Sequence, residues 1–141
     1  MAGYSTSPLE KKLGVKPEFD VAFVNAPENF VKQLNLPSGV NIRSISKSKE
    51  LDFIHVFVKR QKALTTAFEY SRKMKPNGML WISWPKKTSG VATNVNENIV
   101  RETGLAAGLV DVKICAVDEI WSGLKFVYRL RDRPKMKSIP K

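Results

Sequence analysis

Cysteine, histidine and long apolar runs are scarce in this chain, and each scarcity removes a class of function. One cysteine, Cys115, cannot close an internal disulfide, and one histidine, His55, cannot join it in the usual four-ligand zinc centre. No apolar run nears the ~20 residues that cross a bilayer. The opening Met1-Ala2-Gly3-Tyr4-Ser5-Thr6-Ser7-Pro8 has no basic segment leading into an apolar one, so a secretion signal is not expected and a cytoplasmic location is. Internal repeats and low-complexity stretches are lacking too. What is there has the balance of a globular protein, with 43% hydrophobic and 26% charged residues in 141. That length suits one domain, expected over residues 1–133, followed by a basic tail over 134–141 whose two prolines and missing apolar periodicity predict disorder.

Charge is the next asymmetry. Twenty-four basic residues oppose 13 acidic ones, a net +11. Residues 1–42 hold four of each sign and residues 76–128 five of each, so both stretches are neutral. The excess sits in residues 43–75, with nine basic against three acidic, and in residues 129–141, with six against one. Such blocks can neutralise phosphates and release counterions, which makes nucleic acid a candidate partner through residues 43–75 and the tail. Without a recognisable nucleic-acid motif, solubility is the preferred account of the charge.

Along the chain, Ser7-Pro8-Leu9-Glu10 reads as a capping box, with Gly14 closing a short helix. Asp20–Asn25 reads as a buried strand, and Pro27 starts a helix carrying Phe30, Val31 and Leu34 on one stripe. A turn at Leu36–Gly39 leads to a short strand Val40–Ile42. Leu51–Val58 is a second buried strand. Only eight residues separate Ile42 from Leu51, too few for a helical crossover, yet extended they cover about 26 Å and can return along the sheet as loop. Gln61–Met74 reads as a helix with Leu64, Ala67 and Phe68 inward. Lys75-Pro76-Asn77-Gly78 then turns the chain into the strand Met79–Trp84. Asn94 caps a further helix with Glu97 three residues on, Val95, Ile99, Val100 and Ala107 facing inward and Gly108 ending it. Leu109–Val117 and Leu124–Leu130 form a closing hairpin. This order predicts a three-layer, Rossmann-like α/β fold. Its sheet is mostly parallel, with helices on both faces and a C-terminal antiparallel strand pair.

The helix ending in Lys75-Pro76-Asn77-Gly78, the strand Met79–Trp84, the next helix and the final antiparallel pair resemble the second half of a class I methyltransferase domain. Lys12-Leu13-Gly14, Trp84-Pro85-Lys86-Lys87 and Asp118-Glu119-Ile120-Trp121-Ser122-Gly123 also resemble small bacterial proteins grouped as a domain of unknown function, a likeness over residues 3–131 that implies no activity. The methyltransferase resemblance implies S-adenosylmethionine as cofactor, but two features depart from that pattern. The turn after the first strand is Asn25-Ala26-Pro27-Glu28-Asn29, with no glycine and a proline that donates no N–H. Where the pattern has an acidic residue at the end of the second strand, this chain has Arg43, with no carboxylate before Glu50. The resemblance therefore implies the fold more strongly than the cofactor, and a non-catalytic module is expected ahead of a methyltransferase with an altered cofactor pose.

Ligands of open α/β sheets bind beyond the carboxyl ends of the parallel strands. There the sequence offers Asn25, Lys59, Arg60, Lys86, Lys87 and Ser89, a set suited to a phosphate or carboxylate, with Ser89-Gly90 supplying a hydroxyl and backbone N–H groups. Trp84 can stack on a ring there, though packing at the core rim is the plainer role. Trp121 is expected to cover the hairpin beside Gly123 in an unusual backbone conformation. Exposed, it would instead anchor a partner. The neighbouring Asp118 and Glu119 point to opposite faces and make a poor acid–base pair. His55 and Cys115 read as core residues, because no nucleophile or base partner is identifiable beside either. No catalytic residue and no metal ligand is assigned.

Overall fold

The computed structural model describes residues 8–133, so Ser7 of the expected capping box and the expected disordered tail 134–141 lie outside the described residues. Six strands form one sheet: β1 (Asp20–Val24), β2 (Asn41–Ile42), β3 (Leu51–Phe57), β4 (Met74–Pro85), β5 (Leu109–Ala116) and β6 (Trp121–Tyr128). Their order is β2-β1-β3-β4-β6-β5. β2, β1, β3 and β4 run parallel, whereas β6 is antiparallel to both β4 and β5. This is the expected mostly parallel sheet with its closing antiparallel pair.

The connections explain the order. From β1 the chain goes outward to β2, then returns across β1 to β3 on the other side. The return is the short loop of residues 43–50, which contains no helix and drops Ile45 against the core. The connections that leave β1 and β3 thus run to opposite sides of the sheet, leaving a crevice at the carboxyl ends of these two strands, the place where open α/β sheets bind ligands.

Strand parity divides the core in two. Ile54, Val56, Leu80, Ile82, Leu124 and Phe126 face α3 (Leu64–Glu69) and α4 (Glu97–Ala106). Phe53, Phe57, Met79 and Trp81 face α1 (Leu9–Leu13) and α2 (Phe30–Gln33). Helices of four to six residues cannot hold themselves in water, so α1, α2 and α3 exist because the sheet holds them. For α1 the anchors are Leu13, fully buried, and the Trp81 Nε1–H, which donates to the Leu13 carbonyl at 2.8 Å.

The Glu10 carboxylate accepts the Asn35 backbone N–H at 3.0 Å, tying α1 to the end of α2. Several local expectations need correction. The helix expected over residues 61–74 is α3 flanked by tight 3-10 turns at Gln61–Ala63 and Tyr70–Lys73. Lys75–Gly78 is not a turn preceding a strand but a bulge within β4. Met74 pairs with Leu51 and Met79 with Phe53, so four residues sit opposite Asp52 alone. Asp52 holds the bulge, accepting the Asp20 N–H at 2.8 Å and pairing with Lys75 Nζ at 3.0 Å. The cap of α4 is Asn96 rather than Asn94, its side chain accepting the Ile99 N–H, and Ala107 is exposed. Gly123 is ordinary extended backbone within β6 and has no positive φ. It is small because a Cβ would stand 3.1 Å from Ser83, Trp81 and Val117 side-chain atoms.

Candidate functional site at the ends of the parallel strands

β1, β3 and β4 end side by side, so the loops that follow them share one edge of the domain, as the sequence predicts. At the end of β1, Asn25 turns the chain with a left-handed φ of 59°, and Asn29 repeats this at φ 70°. Asparagine is the non-glycine residue that takes this conformation most readily, so a sharp turn survives without glycine. The loop after β3 carries Lys59, Arg60 and Lys62, all exposed. Its backbone is held from the segment that follows β4. Thr93 Oγ1 donates to the Lys59 carbonyl at 2.7 Å, and the Gln61 N–H donates to Asn94 Oδ1 at 2.8 Å. Thr93 and Asn94 had no assigned part in the site, and their spacing gave no signal of it, because both bonds span more than 30 residues.

The expected anion-binding residues do not converge on one place. Asn25, Lys59 and Arg60 line a cavity of about 400 Å³ at the β1/β3 crevice, together with Lys62, Pro27, Phe57, Val58, Ala63 and Trp121. Trp84, Lys86 and Lys87 line a second cavity of about 470 Å³ with Thr93, Asn94, Asn96, Glu97 and Ser122. Parity in β6 separates them, since the adjacent Trp121 and Ser122 project to opposite faces of the sheet. Ser89 lines neither cavity. Its hydroxyl donates to the Lys86 carbonyl at 2.7 Å and accepts the Val91 N–H, and its own N–H also goes to the Lys86 carbonyl. That correction follows from the loop closing on itself as a 3-10 turn, Lys87–Ser89, ended by Gly90 at φ 82°. Trp84 is 5% exposed and packs in the core, the plainer of its two expected roles.

The crevice cavity has a charged mouth over an apolar wall. Trp121 is 6% exposed and packs edge-on against Phe57 at 5.0 Å, so it is a wall rather than an exposed partner anchor. The turn that places it is built by Asp118, whose Oδ1 accepts the backbone N–H groups of both Ile120 and Trp121 at 2.8 Å. Beneath Phe57, His55 stacks at 4.3 Å and is completely buried among Phe23, Phe30, Phe53 and Trp81. Burial holds its pKa down to about 3, and its Nε2 shares a 2.7 Å hydrogen bond with Ser83 Oγ. This neutral imidazole lies under the cavity wall. Cys115 is buried at the α1 face, and burial pushes its thiol pKa up.

Two observations bear on S-adenosylmethionine. The crevice lining contains Lys59, Arg60 and Lys62 and no carboxylate. After β2, Arg43 is committed to the sheet, its backbone N–H donating to the Val21 carbonyl at 2.7 Å and its Nε pairing with Asp20 at 3.1 Å. The sulfonium and ammonium groups of that cofactor would meet only positive charge in that lining, whereas its carboxylate could pair with the same cations.

No family model matches the chain, and no curated protein matches it in sequence, so the bacterial-family likeness rests on the quoted residues alone. Solved structures do match. The chain is similar to a SAM-dependent methyltransferase from Aquifex aeolicus, with a TM-score of 0.62 and 15% identity over 82% of this chain and 85% of that one. It is also similar to a TehB-like SAM-dependent methyltransferase from Corynebacterium glutamicum, with a TM-score of 0.53 and 8% identity over 91% of each chain. A third similar structure is the fibrillarin pre-rRNA processing protein of Methanococcus jannaschii, with a TM-score of 0.54 and 10% identity over 89% of this chain and 70% of that one. The fold is therefore methyltransferase-like. Among the described residues no helix is long and apolar enough to cross a membrane, and no three His, Cys, Asp or Glu side chains are grouped so as to hold a metal ion.

Proposed function

We propose that this chain is a methyltransferase-like module that binds, without transforming it, a phosphorylated small molecule in the β1/β3 crevice. The observation that carries this reading is the lining itself: three cationic side chains and no carboxylate around a wall of Pro27, Phe57, Val58, Ala63 and Trp121. Cationic side chains at the mouth suit phosphate oxygens, and the apolar wall suits the body of a nucleoside or similar group. A volume of about 400 Å³ is in the range of small-ligand sites. Lys86 and Lys87, in the second cavity, are not part of this binding set. The competing reading, a methyltransferase holding its cofactor in an altered pose, draws support from the structures the fold resembles.

Calorimetric titration with adenosine diphosphate tests the proposal. Wild-type protein should bind it, and Lys59→Ala/Arg60→Ala should weaken binding by about a hundredfold, two charge-assisted contacts at ~1.5 kcal/mol each. The Lys86→Ala/Lys87→Ala variant should bind as wild type does. Equal affinity in the Lys59/Arg60 variant, or the loss falling on Lys86/Lys87 instead, would overturn the assignment of the crevice.

A further inference from the structure

Lys12 and Lys16 belong to one neutral stretch of the sequence, and Lys113 and Lys125 to another. Folding brings all four to the α1 side of the β5–β6 pair. Lys113 and Lys125 stand directly opposite each other across the antiparallel pair, and Lys125 is also opposite Trp81 of β4 on the face where α1 lies. Lys113 Nζ donates to the Lys12 carbonyl at 2.9 Å, which draws the end of α1 over the two strands. The position a Cβ would take on Gly14 is 3.9 Å from Lys125 Nζ, so the chain leading to Lys16 runs beside it. Among the described residues none of these four lysines makes an ion pair; the carboxylates that do pair are Asp20, Asp52, Glu97, Asp111 and Asp132, with other cations.

Like charges facing each other across a strand pair destabilise a sheet, and no carboxylate here relieves them. Burial, with Lys113 and Lys16 nearby, holds the Lys125 ammonium below the usual lysine range. The bond to the Lys12 carbonyl gives Lys113 a structural task, but it leaves protons free on that ammonium and does nothing for Lys125.

We propose that the lysines on α1, β5 and β6, with Lys16 just beyond α1, form a docking surface for the phosphate backbone of a nucleic acid, separate from the crevice. Charges on three separate elements match repeated phosphates better than one small anion. Lysine heads on flexible stems suit backbone contact without base reading. This surface differs from residues 43–75 and the tail, where the sequence concentrates its excess charge.

Fluorescence anisotropy with a labelled, mixed-sequence single-stranded RNA of about 20 nucleotides tests it between about 50 and 200 mM salt. Lys113→Gln/Lys125→Gln should make the slope of log K against log salt shallower by about 1.4, two single-strand phosphate contacts, and weaken binding at least about tenfold at the low-salt end. Lys125→Gln alone, which keeps the Lys113 bond to the Lys12 carbonyl, should melt no lower than wild type, because it removes repulsion. Lys16→Gln, outside any helix or strand, should reduce the slope by about 0.7 and serves if the double variant fails to fold. Lys47→Gln/Lys49→Gln, in the β2–β3 loop, should keep the wild-type slope. An unchanged slope in the Lys113/Lys125 variant and in Lys16→Gln would overturn the proposal. So would polyglutamate of matched charge binding as tightly as the RNA, which would make the partner an acidic polypeptide. Adenosine diphosphate binding by the Lys113/Lys125 variant reports separately on the crevice and should be unchanged.

Discussion

A buried imidazole makes the fold sensitive to acid in a defined window. In the native protein His55 titrates near pH 3, against 6.5 when unfolded, because burial penalises its charged form. Between those values the unfolded chain takes up a proton that the fold refuses, so stability is complete above about pH 6.5 and falls as pH drops, at a slope approaching about 1.4 kcal/mol per pH unit. Urea midpoints from pH 7 to 4 should show this decline in wild type and a flatter profile in His55→Gln; parallel profiles would mean that other groups dominate. The sequence made His55 legible as a core residue, because apolar neighbours flank it on a strand. Its partner Ser83 lies 28 residues away on a different strand, and only the parallel register of β3 and β4 joins them. Asn25 was legible as a missing glycine, but its left-handed backbone was not, although its residue type is the one that permits it.

The elements were legible where apolar pattern and punctuation agree, as in β1, β3 and the β5–β6 pair. Boundaries shifted where a distant contact competed with a local rule. Asn94 and Glu97 satisfy a capping spacing, but the Asn94 side chain accepts the Gln61 N–H of the loop after β3, and Asn96 caps α4 instead. Within α4, Gly104 looks like a propensity defect worth about 1 kcal/mol. Yet a Cβ there would lie 2.2 Å from Phe126 Cε2, so Gly104→Ala should destabilise the protein by about 1–3 kcal/mol despite its gain in helix propensity. A denaturant midpoint at or above that of wild type would refute the close-approach account. On the opposite face, Trp81→Phe removes the donor to the Leu13 carbonyl and should cost about 1–3 kcal/mol. Amide exchange should rise first in residues 9–13, because α1 has little helix stability of its own.

At the scale of the whole molecule, the shared edge of β1, β3 and β4 followed from strand order alone, and so did the nomination of their loops. The division of that edge into two cavities did not, because it depends on which face of β6 each side chain takes. Nor did the lysine surface over α1, β5 and β6, since charge counted along the chain hides residues that meet only in space. As proposed above, this methyltransferase-like crevice selects negative charge. Adenosine diphosphate and S-adenosylmethionine share a nucleoside and differ in the sign of their net charge, so titrating both into one preparation tests that feature. Calorimetry should show binding of the diphosphate and no heat from S-adenosylmethionine up to millimolar concentration. Tighter binding of S-adenosylmethionine than of the diphosphate would contradict the account and restore the crevice as a methyl-donor site.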